Sequence, residues 1–242
     1  MRLVLVHTRA ATLELFRYPA FSVPTLAFPA LFFLLFVAPR SDANPDLLLA
    51  SFAGFAVLAV AFFQFGVGIA ADRESAWERF VRTLPLRVRV RFAARVVSAA
   101  LFGLGSAGLV VVAALATTDA SLPAARWAAL AAALALGSIP FALFGIALGY
   151  WASARSALPV ANILYLVLSF VGALWTTPEH LPASLAGLSP LVPTRQFGNV
   201  LWGAAQGHLW RPHDWLLLLA WTGVFAALAT LGYRRDEGRR YA

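Results

Sequence analysis

Residues 72–95 read DRESAWERFVRTLPLRVRVRFAAR, and they separate two long runs that contain no charged residue. The stretch holds seven of the nineteen cationic side chains of the chain, all of them arginine. The flanking runs, Leu47–Ala71 and Val96–Thr118, are 25 and 23 residues long. Because a helix of about 20 apolar residues crosses the hydrocarbon core of a bilayer, these runs predict two membrane spans joined by a charged loop.

Within this stretch, residues 73–84 carry the pattern of an amphipathic helix. The apolar residues of one helical face recur at the spacing i, i+3, i+4, i+7: Trp77, Phe80, Val81 and Leu84. Acidic residues at its start favour a helix N-terminus, and Pro85 ends the helix because it lacks an amide proton. The pattern predicts a short helix whose apolar stripe can pack against another surface.

The rest of the chain is strongly apolar. Its 242 residues are 61% hydrophobic with a mean hydropathy of +0.76, above the roughly half-apolar usage of soluble domains. Six uncharged runs are long enough to span a bilayer: Tyr18–Pro39, Leu47–Ala71, Val96–Thr118, Trp127–Ala154, Ser156–Pro178 and Trp215–Tyr233. We predict an all-α, polytopic membrane protein with six transmembrane helices that form a single transmembrane domain over residues 1–242.

The arginines predict the orientation. With the N-terminus inside, fifteen arginines fall in the inner segments and four, Arg40, Arg126, Arg195 and Arg211, fall in the outer ones. Since inner loops carry the excess of positive charge, both termini and the charged loop at residues 72–92 are expected in the cytoplasm.

Two further segments lie outside the six runs. Residues 1–18 mix leucine and valine with arginine and predict an N-terminal interfacial helix. Residues 178–213 are predicted to be extracytoplasmic. Their uncharged runs, Leu181–Thr194 and Gln196–Trp210, are too short to cross a bilayer and predict a re-entrant or outer-interface hairpin before the last span.

Absent residue types exclude several chemistries. Without cysteine the chain has no disulfide or thiolate catalysis, and without lysine it has no Walker A phosphate loop. The four histidines, His7, His180, His208 and His213, lack metal-ligand spacing, so we expect no catalytic residue, metal or cofactor on this chain.

A few polar and small residues within the spans have two interpretations. Gln64 and Asn162 are able to contact a substrate, but an interhelical hydrogen bond is the ordinary role of such residues. Two groups of glycines, Gly145 with Gly149 and the cluster Gly103, Gly105 and Gly108, permit close helix approach.

Three parts of the chain, taken in order, resemble the ABC-2 type permeases, which are the membrane subunits of bacterial ABC exporters of the daunorubicin-resistance type. The first is LELFRYP at residues 13–19, followed by FPALFFLLF at residues 28–36. The others are DRESAWERFVRTLPL at residues 72–86 and PEHLPASLAGLSPLVP at residues 178–193.

In that family the first cytoplasmic loop, typically R-E-x-G-T-x-E-R followed by a proline, forms a coupling helix that docks on the ATP-binding subunit. The resemblance implies such an interface at the matching residues and at the aromatic residues of the stripe: Arg73, Glu74, Trp77, Glu78, Arg79, Phe80 and Pro85. Ser75-Ala76-Trp77 replaces the common glycine-threonine portion. The resemblance also implies a dimer and a substrate pathway lined by spans two and five, with candidates Phe63, Gln64, Asn162 and Tyr165.

We therefore predict the permease subunit of an ATP-driven exporter in the bacterial inner membrane, which moves an amphipathic or hydrophobic substrate. ATP and Mg²⁺ are expected on the partner ATP-binding subunit, and the other partners are a second permease copy, identical or not, and lipids, but no nucleic acid. One alternative is a structural or assembly membrane protein whose arginines hold anionic lipid. Another is a membrane-embedded lipid-modifying enzyme that uses His180, His208 or His213.

Overall fold

The computed structural model describes residues 19–36, 38, 44–73, 88–175, 181–208 and 210–238. These residues form helices and no strand, which confirms the predicted all-α fold. The helices are α1 (Pro19–Phe36), α2 (Pro45–Asp72), α3 (Val88–Thr117), α4 (Ala124–Trp151), α5 (Ala154–Val171), α6 (Ala183–Ala186), α7 (Pro193–Gln206) and α8 (Pro212–Gly238).

Five of these helices, α2, α3, α4, α5 and α8, are long and apolar enough to cross a membrane. The apolar part of α1, Val23–Phe36, is shorter, so the count of six spans stays a prediction. The predicted interfacial helix at residues 1–18 and the predicted amphipathic helix at residues 73–84 lie outside the described residues, except for Arg73.

Helix α2 is the centre of the bundle. Every residue from Leu48 to Phe62 is buried, because α1, α3, α4, α5 and α7 surround it. A helix that is apolar on all sides is suited to such a position. It begins at Pro45, and the side chain of Asn44 caps it by accepting hydrogen bonds from the backbone N–H groups of Asp46 and Leu47 at 3.0 and 3.3 Å.

The second half of α2 lies directly on the backbone of α4. Residues Val60–Val67 form a π-helical segment, a form that is rare and often found at functional sites. A Cβ atom at Gly145 would overlap the carbonyl of Ala61, and one at Gly149 would lie 2.6 Å from the Cβ of Ile69. The predicted close approach at these two glycines is therefore confirmed. In the α3 cluster a Cβ atom at Gly103 would lie 3.3 Å from the Val57 side chain, but the prediction is wrong for Gly105 and Gly108, which have no such neighbour within 4 Å.

Helix α7 is too short to cross a membrane and packs into the bundle. Its Phe197 ring fills the space left by Gly54 of α2 and Gly137 of α4. The indole Nε1 of Trp202 donates a hydrogen bond of 2.7 Å to the hydroxyl of Ser51 in α2. Two short helices, α6 and α7, precede α8, while the re-entrant or outer-interface hairpin stays a prediction.

The two ends of the bundle bring together different segments. At one end, the backbone N–H of Ser121 donates to Asp46 at 2.9 Å and Arg126 donates to the carbonyl of Ala205 at 3.4 Å. At the other end, Arg73 binds residues at the ends of α4 and α8. Segments that the arginine distribution assigns to the same side of the membrane thus lie at the same end of the bundle. Which end faces the cytoplasm stays a prediction.

Replacing Gly145 by alanine is expected to destabilise the bundle. The added methyl group must push α2 and α4 apart, and overpacking of this kind costs about 1–3 kcal/mol. The matched control is Gly105→Ala in α3, where a Cβ atom has no neighbour within 4 Å and where alanine favours a helix by about 1 kcal/mol. Thermal unfolding in detergent should show a lower midpoint for Gly145→Ala alone. Equal midpoints for Gly145→Ala and Gly105→Ala would contradict the backbone contact between α2 and α4.

Candidate functional site

The centre of the bundle contains a cluster of aromatic rings around Tyr165 of α5. The ring of Tyr165 stacks on Phe55 of α2 with centroids 4.4 Å apart, and its hydroxyl donates to the carbonyl of Phe55 at 3.3 Å. Further rings join these two to form what we call the aromatic core: Phe32, Phe52, Phe55, Phe62, Phe63, Tyr165 and Trp175. The core joins α1, α2, α5 and the segment that follows α5.

The aromatic core has little polar character. The indole Nε1 of Trp175 is buried, and no hydrogen-bond partner for it is found among the described residues; the same holds for the hydroxyl of Ser169. Both groups belong to the end of α5 and the turn that follows it. Apart from these groups and the Tyr165 hydroxyl, the core presents aromatic faces and edges, which suit apolar or amphipathic molecules.

The structure brings two of the four predicted pathway residues, Phe63 and Tyr165, together in the aromatic core. The rings of Phe63 and Tyr165 pack edge to face with their centroids 5.3 Å apart. Gln64 is buried and lies next to Phe63 in the chain, within the π-helical segment Val60–Val67. Asn162 is instead exposed on the outer side of α5. The buried residues of α5 recur every fourth position, a spacing that was visible in the sequence and that leaves Asn162 on the neighbouring face: Ala157, Ala161, Tyr165 and Ser169.

A second cluster, which we call the Arg73 junction, lies at the end of α2. Arg73 directly follows the last residue of α2. Its Nε and one Nη donate to a carboxylate oxygen of Asp236 in α8 at 3.1 and 2.5 Å. The side chain of Asp236 is only 6% exposed, so this is an ion pair largely withdrawn from solvent.

The same guanidinium also closes the end of α4. Its other Nη donates to the carbonyls of Gly149, Tyr150 and Ala152 at 2.8, 2.9 and 3.2 Å. The last carbonyls of a helix have no partner within the helix, and positive charge is favourable there. Arg73 therefore supplies hydrogen bonds and charge that the C-terminus of α4 requires.

Aromatic contacts strengthen the link between α4 and α8 at this end. The rings of Tyr150 and Tyr233 pack edge to face with their centroids 5.4 Å apart. The guanidinium carbon of Arg73 lies 5.6 Å from the centroid of the Tyr150 ring. Trp151 donates from its indole to the carbonyl of Leu228 at 2.9 Å, and Arg235 lies over its ring. The junction thus holds the ends of α2, α4 and α8 together.

A second polar cluster, whose members no sequence pattern connects, lies at the opposite end of the bundle. Arg195 donates to the amide oxygen of Asn199 at 3.2 Å, and the amide nitrogen of Asn199 donates to Asp214 at 2.9 Å. Arg195 also lies 5.3 Å from the centre of the Trp202 ring. These contacts fix α7 against the start of α8.

The predicted interface with an ATP-binding subunit stays a prediction. Of its residues only Arg73 is described, and its guanidinium is bound within the chain. The others lie outside the described residues: Glu74, Trp77, Glu78, Arg79, Phe80 and Pro85. For the alternative enzyme, His208 and His213 are exposed, His180 lies outside the described residues, and the described residues contain no group of three metal-binding side chains.

Comparison with known proteins relates this architecture to transport. No family model matches the chain. Over 219 residues the chain is 22% identical to "Putative transport permease YvfS" of Bacillus subtilis (strain 168), and the similarity covers 88% of this chain and 89% of that protein. With five helices able to span a membrane, the chain is a multi-pass membrane protein that is similar to a transport permease along most of its length.

Removing the Tyr165 ring is expected to destabilise the aromatic core strongly. Tyr165→Ala deletes a fully buried ring and leaves a cavity, which costs about 3–5 kcal/mol. Tyr165→Phe loses only one hydrogen bond, worth about 1 kcal/mol. Leu219→Ala on the exposed side of α8 is the control and should change little. Equal midpoints of thermal unfolding in detergent for Tyr165→Ala and Leu219→Ala would contradict a packed core at Tyr165.

Proposed function

We propose that the chain is the membrane-spanning permease subunit of an ATP-driven exporter in the bacterial inner membrane. The similarity to a transport permease over most of both chains carries this proposal. The absence of lysine in the sequence supports a division of labour, because a Walker A loop for ATP must then belong to another subunit. ATP and Mg²⁺ would be bound by that subunit, and the permease itself would not be an enzyme.

The charged loop at residues 72–92 is the proposed receiver of the work of ATP hydrolysis. It connects α2, the buried centre of the bundle, with α3, so a force on the loop acts directly on the core. Its predicted apolar stripe includes Trp77 and Phe80, and large aromatic residues are frequent anchors at the centre of protein interfaces. The excess of arginine on this side supports a cytoplasmic position for the loop, where ATP is available.

The substrate class follows from the aromatic core. Phe63 and Tyr165 are in contact, and the buried residues around them include no charged side chain to bind an ion. An amphipathic or hydrophobic substrate fits such a lining. The rings pack against one another, so the pathway would open only when helices around α2 and α5 separate.

The outer side of α5 supports a second permease copy. It exposes large apolar residues such as Ile163 and Val167 together with the amide of Asn162. An amide that faces lipid leaves its hydrogen bonds unmade, whereas the same amide can bond across an interface between two helices. The proposed assembly therefore has two permease copies and two ATP-binding subunits.

Changing the predicted docking helix of the loop is expected to release the ATP-binding subunit. Trp77→Arg and Glu78→Arg place positive charge on the predicted docking helix, so each should abolish retention of the partner. The measurement is purification of the tagged permease in mild detergent, followed by mass spectrometry for a stoichiometric subunit with a Walker A motif and by assay of vanadate-sensitive ATP hydrolysis.

The control variant for this experiment is Ser121→Arg. It adds the same single positive charge as Trp77→Arg to an exposed residue at the opposite end of the bundle, where the backbone N–H of Ser121 donates to Asp46. This variant should retain the subunit at the level of the parent chain. A parent chain that retains no such subunit, or Trp77→Arg and Glu78→Arg variants that retain it fully, would contradict the proposed function.

A further inference from the structure

We propose that Arg73 is a positioning residue that ties the charged loop to the ends of α4 and α8, so that movement of the loop is carried into both helices. The inference rests on the proposed function, because the movement would begin in the ATP-binding subunit. It assigns Arg73 a role different from the partner contact that its place in the loop motif predicts.

The first support is the way the guanidinium is used. It bonds the carboxylate of Asp236 in α8 and three backbone carbonyls at the end of α4. The side chain is 18% exposed, which leaves little of it for another subunit. Because the guanidinium is a rigid planar fork, the bonds to the two helices fix one relative position of three helix ends.

The position of Asp236 is the second support. It lies in the last turns of α8, where the partial negative charge of the helix end disfavours a carboxylate. Its neighbours Arg234, Arg235 and Glu237 are exposed, whereas Asp236 is buried and directed at Arg73. A buried acid at this end of a helix needs a cation beside it, and Arg73 is the cation that binds it.

The third support is the course of α2 before the junction. Four residues before Arg73, Ile69 lies against Gly149 of α4, and the π-helical segment Val60–Val67 contacts α4 through Gly145. Any displacement of Arg73 must therefore either break its bonds to α4 and α8 or move these helix ends with it. The side chain of Arg73 bonds Asp236 and so connects the start of the loop directly to α8.

A single fluorescent reporter on α8 tests the inference. The chain has no cysteine, so Leu231→Cys, on the exposed side of α8, provides one labelling site for bimane. The labelled permease, purified with its ATP-binding subunit in lipid nanodiscs, is compared with and without ATP and vanadate. The parent is expected to show a nucleotide-dependent change of bimane fluorescence.

The test variant is Arg73→Gln with Asp236→Ala, which removes both charges and so leaves no single buried charge without a partner. It should retain the ATP-binding subunit but lose the nucleotide-dependent change. The matched control is Arg234→Gln with Glu237→Ala, which also replaces one arginine and one acid, but at exposed residues near the end of α8. This control should keep the nucleotide-dependent change of fluorescence. Arg73→Lys keeps the positive charge but lacks the planar fork of the guanidinium, so it should also lose the nucleotide-dependent change of fluorescence. If the double variant does not fold, Arg73→Lys serves as the test variant in its place.

The outcomes separate the two proposals. A purely structural role of Arg73 would lower the thermal midpoint or the amount of complex, while the remaining complex would show the parent's fluorescence change. That result, or a parent complex without any change, overturns the inference and leaves the proposed function intact. A parent that binds no ATP-binding subunit overturns the proposed function itself and the inference with it.

Discussion

The direct contact between the backbones of α2 and α4 is the constraint on which the rest of the structure depends. No side chain fits between the helices at Gly145 and Gly149, so the π-helical segment of α2 has one position on α4. This position places Phe55 and Phe62 beside Tyr165 and brings Arg73 to the last carbonyls of α4. In hydrocarbon the chain itself must satisfy its backbone polar groups, and small residues allow helices to approach this closely. The aromatic core and the Arg73 junction are thus two consequences of the same helix crossing.

The two ends of the bundle are held by different kinds of interaction. At the Arg73 end an ion pair joins α2 to α8, and removing one partner of a buried pair leaves a charge that is costly to keep out of water. At the opposite end hydrogen bonds predominate: Trp202 donates to Ser51, Thr194 donates to the carbonyl of Leu168, and the Asn199 amide separates Arg195 from Asp214. An end joined by several individually weaker bonds can change one contact at a time. The charged end resists separation and is better suited to transmit a displacement.

The sequence predicts the spans well because charge is excluded from the membrane. The run Leu47–Ala71 corresponds to α2 at Pro45–Asp72, and Trp127–Ala154 corresponds to α4 at Ala124–Trp151. The Gly145 and Gly149 pair also predicts the close contact of α4 with α2.

The pairing of Arg73 with Asp236 was not predictable from the sequence, since 163 positions separate the two residues and either charge could have faced water. The π-helical segment has no sequence signature either. Asn162 was assigned from its residue type and from the resemblance, and neither indicates that the buried side of α5 is the side of Tyr165.

We propose that the charged loop receives mechanical work from an ATP-binding subunit and that α2 and Arg73 pass this work to the core. The most direct measurement is an electron cryo-microscopy structure of the permease with its ATP-binding subunit, determined with and without nucleotide. The account predicts that residues 74–85 contact that subunit in both states while Arg73 stays bound to Asp236, and that the ends of α2, α4 and α8 shift together. A loop that lies away from the subunit, or an α8 that stays in place while the loop moves, would contradict it.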